Sequence, residues 1–227
     1  MSSDLDSVTT LPPLGALEVR SSSLSDQAYH RMRELILDRK ISAGSTLLEG
    51  KLADELGISR TPMREALGRL AGERLLVRRD ARSYSVRSVG TKEYFDAMRT
   101  RELLECETTA LAIGKIDEAD LDRFDAEVDA LNVGEHTESE YWHFDDRFHM
   151  FVAHASGNIV MPLLIQQLRD EARLFRLHSP LHRQKENHNE HREIIRAIRK
   201  KDVEGARGAV RAHLRSLQND VQRAVMG

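Results

Sequence analysis

Apolar positions first take up a helical rhythm at Tyr29, Met32, Ile36 and Leu37, with Leu35 widening the stripe. That spacing predicts an amphipathic helix starting near Ser25, a residue suited to an N-cap, and ending near Lys40, where Ser42, Ala43 and Gly44 break it. A second helix is expected from about Glu49 to Leu56, with Leu52, Ala53 and Leu56 inward and Gly57 as its stop. Ser59 then caps a third helix running to about Glu73, with Pro62 in its first turn and Ala66, Leu67 and Leu70 as the buried stripe. Two short apolar runs, Leu75–Val77 and Tyr84–Val86, flank Arg78 to Ser83 and predict a small hairpin. Beyond Gly90 and Thr91 no alternating strand pattern remains. Helices are expected at about 92–113, 117–132, 138–155, 160–178, 182–200 and 203–223, separated by Gly114, Gly134, Gly157–Asn158, Pro180 and Asp202. Residues 1–23, rich in Ser, Thr, Pro and small side chains, have no apolar periodicity and are expected to be a disordered tail. The expected fold class is mainly α. A compact head spans 24–90 and an antiparallel helical bundle spans 91–227, with no internal repeat.

Composition narrows the class. Of the 227 residues, 40% are hydrophobic and 31% charged, an ordinary globular balance. No run of about 18 apolar residues suggests a membrane span, and the N-terminus lacks a signal peptide's basic start and apolar core. A lone cysteine, Cys106, excludes an internal disulfide and fits a reducing cytoplasm. The net charge of −3 is unevenly spread. Residues 24–90 carry 13 Lys and Arg against 9 Asp and Glu, whereas residues 91–227 carry 20 against 25. A basic front and an acidic back point to an anionic partner at the front, although a difference of this size also arises by chance.

The stretch LADELGISRTPMREALGRL has the layout helix, short glycine turn, helix. In a helix-turn-helix the second of these helices presents its N-terminal residues to the major groove, here Ser59, Arg60, Thr61 and Arg64. Arginine suits that place because its planar fork can donate two bonds to guanine O6 and N7. Ser59 and Thr61 can bond phosphates or base edges, and Arg69, further along, faces the DNA backbone. On spacing alone, an ordinary surface helix explains these residues equally well.

The segment ADELGISRTPMREALGRL closely resembles the signature of the GntR superfamily of transcriptional regulators, and AYHRMRELILDRKISAGSTLLE resembles that family's first helix and linker. The resemblance covers about residues 24–88 and implies a winged helix-turn-helix, with DNA contacts at Arg60, Thr61 and Arg64 and a phosphate contact at Arg33. There is a departure. Where the family usually has a glycine at the wing tip and another before the first wing strand, this chain has Ser83 and Arg74. The missing glycines put the wing's approach to the minor groove in question, while Arg79 and Arg82 can still reach phosphates.

Nine of the ten histidines lie beyond residue 135. Asp145 and His149 are spaced to share one helix face, and His191 and His213 fall on two later helices. Three helices of a bundle can thus converge four ligands suited to zinc first, then nickel, iron or manganese. The alternative is a set of satisfied polar residues, and a solvated surface is the expectation for the other histidines. Asp146 is expected to face solvent. Trp142, Phe144, Phe148 and Phe151 are expected to be core.

FDDRFHMFVAHASGN, NEHREIIRAIRKKD, ARGAVRAHL and RTRELLECETTALAI resemble, in order and spacing, segments of the FCD domain, the helical effector domain of the family's FadR-type branch. That resemblance implies a metal site from Asp145, His149, His191 and His213, and beside it a small carboxylate effector. Arg101 is the candidate carboxylate clamp, with an intrahelical pair to Glu105 as the alternative. Asn158 either lines the pocket or caps the following helix, and Arg173 and Arg176 are lesser candidates. The family further implies a homodimer on a near-palindromic DNA operator, acting as a repressor that the effector releases. A metalloenzyme is the rival, weakened because four protein ligands already fill a tetrahedral site and because no HExxH spacing occurs.

Overall fold

The computed structural model describes residue 14 and residues 23–133, 135–175 and 184–226. The expected tail, Arg176, His178, Pro180 and His182 therefore lie outside the described residues, apart from Leu14 and Ser23. The chain divides into two compact units, Met1–Gly90 together with Arg173–Phe175, and Thr91–Ala172 together with Arg176–Gly227.

The first unit is a winged helix-turn-helix. Helix α1 (Leu24–Leu37) packs on α3 (Arg60–Gly72), and α2 (Glu49–Leu56) packs on α3. Ser23, rather than Ser25, caps α1, its hydroxyl accepting from the Asp26 amide at 3.0 Å. Met32 and Ile36 of α1, Leu52 and Leu56 of α2, and Met63, Leu67 and Leu70 of α3 are fully buried. Each contributes roughly 1.5–3 kcal/mol relative to exposure. Strands β1 (Thr46–Leu48), β2 (Leu76–Arg78) and β3 (Ser83–Val86) form an antiparallel sheet in the order β1-β3-β2. The hairpin β2–β3 was expected from the sequence, but β1 was not. Three residues are too few for an alternation, and the partner of Leu47 is the distant Tyr84.

Chain reversals explain two boundaries. Helix α1 stops at Leu37, short of Lys40, because Arg39 turns left-handed at φ 62° and the Lys40 amide reaches back to the Leu35 carbonyl at 2.9 Å. Helix α3 closes the same way. The Leu75 amide bonds the Leu70 carbonyl at 3.0 Å and the Arg74 amide bonds Ala71 at 3.1 Å, with Arg74 at φ 62°. So the site where the family usually has glycine does demand the left-handed region, and an arginine occupies it.

The second unit is all helical among its described residues: α4 (Thr91–Ala112), α5 (Glu118–Leu131), α6 (Glu138–Ala155), α7 (Met161–Leu174), α8 (Gln184–Arg199) and α9 (Val203–Met226). Helix α4 packs on α6 and α9, and α8 packs on α5 and α9. Helix α4 buries Arg101, Glu102, Glu105, Thr108 and Thr109 alongside Tyr94, Ala97 and Met98, so polar side chains point into the bundle. Arg199 ties α8 to the acidic face of α5 through Asp125 at 2.7 Å and Asp122 at 2.8 Å. Phe144 and Phe148 are core, whereas Trp142 and Phe151 are half-buried. No helix among the described residues is long and apolar enough to cross a membrane.

Candidate functional site

Two sites follow from these frames. In the first unit, Gly57 ends α2 in the left-handed region at φ 67°, and Ser59 begins α3 from an extended backbone. Ser59 holds the N-cap position, but its side chain makes no capping bond, so that expectation is corrected. Ser59, Arg60, Thr61 and Arg64 are all exposed along the start of α3. Arg64 is not a free fork. Its Nε and Nη2 donate to Glu49 Oε2 and Oε1 at 2.9 and 2.8 Å, and Glu49 is buried at the start of α2. The bond from Arg64 holds the Glu49 carboxyl below its usual range against the opposing effect of burial.

Arg69 is folded back on the protein rather than aimed at a backbone phosphate. Its guanidinium lies 3.6 Å over the Tyr29 ring and reaches Asp26 at 3.4 Å and Glu73 at 3.3 Å. Arg33 approaches the same Glu73 at 3.8 Å and is half-buried. Burial, then the hydrogen bond to Glu73, pushes the Tyr29 phenol up to about 12. In the wing, Arg82 is exposed and Arg79 Nε donates to the Ser85 hydroxyl at 2.7 Å. The turn needs no tip glycine because Asp80 organises it. Its carboxylate accepts from the amides of Arg82 and Ser83 at 2.8 and 3.0 Å and from the Ser83 hydroxyl at 2.5 Å.

In the second unit, α6 supplies Asp145 and His149, α8 supplies His191 and α9 supplies His213, all buried, with ligand atoms within 4.8 Å of one another. His191 Nε2 lies 3.2 Å from His149 Nε2 and 3.2 Å from Asp145 Oδ1, and His149 Nε2 lies 3.7 Å from the same oxygen. Two ligands on an ion at about 2.0–2.1 Å in tetrahedral array sit roughly 3.4 Å apart, so the spacing matches.

The outer ring nitrogens decide the tautomers. His149 Nδ1 lies 2.6 Å from Glu105 Oε2, His191 Nδ1 2.8 Å from the Asn187 carbonyl, and His213 Nδ1 2.9 Å from Glu190 Oε2. Each of these oxygens only accepts, so each Nδ1 carries the proton and each Nε2 turns a lone pair inward. Burial drives the His213 imidazole down to about 3 and lowers His149 despite Glu105, which keeps both neutral at pH 7. Burial alone would raise the Asp145 carboxyl, but the Arg169 guanidinium beside it holds it well below its usual range. The inward Nε2 atoms of three rings thus gather around a carboxylate, and His213 Nε2 has no hydrogen-bond partner. That donor set is chemically suited to a cation.

Three residues around the cluster had roles not legible in the sequence. Arg169 Nη2 donates to Asp145 Oδ2 at 2.6 Å and its Nε to Asp146 Oδ1 at 2.9 Å, so Asp146 is ion-paired rather than simply solvated. Glu105 and Glu190 orient two of the rings; only the Arg101–Glu105 spacing hinted at either. Arg101 forms the intrahelical pair, Nε to Glu105 Oε1 at 2.7 Å, yet its Nη2 and the Nη1 of Arg169 are buried without a hydrogen-bond partner. Asn158 is placed as a cap, its side-chain oxygen accepting from the amides of Val160 and Met161 at 2.9 Å each. His188 corrects the expectation of a solvated surface, being buried with Nδ1 2.8 Å from Asn132 Oδ1.

Comparison with known proteins agrees with both halves. Residues 24–86 match the family model described as bacterial regulatory proteins, gntR family, and residues 96–216 match the FCD domain. An HTH-type transcriptional regulator in an unstable DNA locus of Streptomyces ambofaciens is 30% identical over 86% of this chain and 84% of that protein. A putative L-lactate dehydrogenase operon regulatory protein of Escherichia coli is 28% identical over 88% of this chain and 87% of that protein. The solved structure of E. coli McbR/YncC superposes with a TM-score of 0.75 at 24% identity, covering 89% of this chain and 99% of that one.

Proposed function

Since the chain belongs to the GntR family of DNA-binding transcriptional regulators and carries an FCD domain, we propose that it is a homodimeric repressor whose hold on its operator is set by a small carboxylate bound at a metal centre. The carrying observation is the convergence of three inward imidazole lone pairs and the Asp145 carboxylate in a buried site. Asp145, His149, His191 and His213 would hold the ion, zinc for preference, with nickel, iron or manganese suited to the same donors. When bound, the ion supplies positive charge and a position for a ligand oxygen. Arg101 and Arg169 each keep a buried, unpaired N–H group near Glu105, which favours an anionic effector. The relative named for an L-lactate dehydrogenase operon puts short hydroxy acids first in a screen.

On DNA, Arg60, Thr61 and Arg64 face base edges, Ser59, Arg33 and Arg82 face phosphates, and two chains span a near-palindromic site in the cytoplasm. Exposed Ile159, Val160 and Leu163 offer a second copy an apolar face. The effector acts only by binding the DNA-competent and released states unequally. The relatives are transcriptional regulators, not enzymes.

Elemental analysis of untagged protein purified without added metal tests the centre. About one ion per chain, lost in His191→Ala, is expected. Protein that stays metal-free after back-addition overturns it. A structural metal is the second reading. Chelation that unfolds the protein favours it, whereas chelation that only abolishes the carboxylate response favours the sensory one.

A further inference from the structure

Glu49 is a buried carboxylate at the start of α2, and it is surrounded by arginines assigned to DNA. Arg64 grips it with two bonds, although the Arg64 side chain is 57% exposed and the Glu49 side chain only 2%. Arg60 lies over the next residue, where a Cβ on Gly50 would meet its Nε at 3.5 Å. The Arg82 carbonyl accepts from the Glu49 amide at 3.1 Å, which joins the wing to the same point. One residue thus ties α2, the recognition helix and the wing, its carboxylate holding Arg64 and its amide holding the Arg82 carbonyl.

A guanidinium has two forks. The pairing with Glu49 uses the Nε–Nη2 edge and leaves the Nη1–Nη2 edge turned toward solvent. We propose that Glu49 is a positioning and specificity-determining residue: it aims the free edge of Arg64 at the groove and cancels a charge that would otherwise serve any phosphate. This rests on the assignment of Arg64 to a base edge. Two consequences follow. Pre-ordering one long side chain strengthens base reading by roughly 2- to 10-fold, the equivalent of its immobilisation cost. Neutralising it removes about one cation from the sequence-independent term, which grows with each phosphate neutralised.

The test uses the full-length protein and two duplexes of equal length. One is selected by the wild-type protein from a random library, and the other is of random sequence. Affinities are measured across salt concentrations. Glu49→Gln is expected to bind the random duplex more tightly, with a salt slope steeper by about 0.9, and to lose roughly 2- to 10-fold of its preference for the selected duplex. In an Arg64→Ala background the same change is expected to do nothing. Glu49→Asp, which keeps the charge but is too short to hold the fork, is expected to lose preference at an unchanged salt slope. It also serves as the reading if the Gln variant fails to fold. Unaltered preference and slope in folded Glu49→Gln, with preference lost in Arg64→Ala, would overturn the positioning role and leave the Arg64 assignment standing. Full preference in Arg64→Ala would remove that assignment and this inference together. An equal Glu49→Gln effect in the Arg64→Ala background would make Glu49 merely structural and overturn the proposal.

Discussion

Glu105→Gln puts the second layer of the metal centre to the test. Glu105 Oε2 lies 2.6 Å from His149 Nδ1 while Oε1 accepts from Arg101 Nε at 2.7 Å, and both carboxylate and arginine are almost wholly buried. A glutamine has one acceptor oxygen for two donors. If its oxygen serves His149, its amide faces the Arg101 N–H and a buried donor pair clashes. If it turns the other way, its N–H₂ faces His149 Nδ1, the ring proton moves to Nε2, and the inward lone pair disappears. Loss of such an outer partner typically weakens metal binding 10- to 100-fold, equivalent to about 1.4–2.7 kcal/mol. The fold also suffers, because depriving one member of a buried ion pair of its charge costs up to about 3–5 kcal/mol. Competition for zinc against a chromophoric chelator at fixed pH gives the affinity, and thermal melting with and without zinc separates affinity from folding. A folded Glu105→Gln protein that binds zinc within twofold of wild type would refute the tautomer argument.

Other expectations are simpler. Arg74→Gly should raise stability by about 0.5–1 kcal/mol over Arg74→Ala, because relief of left-handed strain at φ 62° exceeds glycine's entropy cost; equal urea midpoints would contradict the strain. His188 makes the bundle acid-labile. An unfolded imidazole titrates near 6.5, burial pushes His188 down to about 4, and so stability is full above about pH 6.5 and falls by about 2 kcal/mol towards pH 4.5. His188→Gln should lessen that loss in melts from pH 7 to 4.5, and an unchanged pH profile would show His188 is not responsible. Asn158→Ala should cost about 1 kcal/mol through the lost cap, and an unaltered melting temperature would reopen its side chain for ligand. Arg101→Ala should spare DNA binding yet blunt release by an effector found in a carboxylate screen, and a normal response would remove it from the clamp.

What the sequence alone determined about this protein was local or motif-borne. Gly57 and the apolar stripes of α2 and α3 placed the helix-turn-helix because a helix stop and a buried face are written within one or two turns of chain. Asp145 and His149 were legible as one face for the same reason, while His191 and His213 could be assigned only to two later helices able to converge on them, a set that resemblance to a known domain also implied. Only the tertiary structure decided the rest. It paired Leu47 with Tyr84 and brought Arg169 from α7 onto Asp145. It also gave Arg64 a buried partner in Glu49 and set the His149 and His213 rings against carboxylates of other helices. Such contacts depend on where separate helices cross, and hydrogen-bond partners in a packed interior are chosen by proximity in space, which no spacing along the chain records.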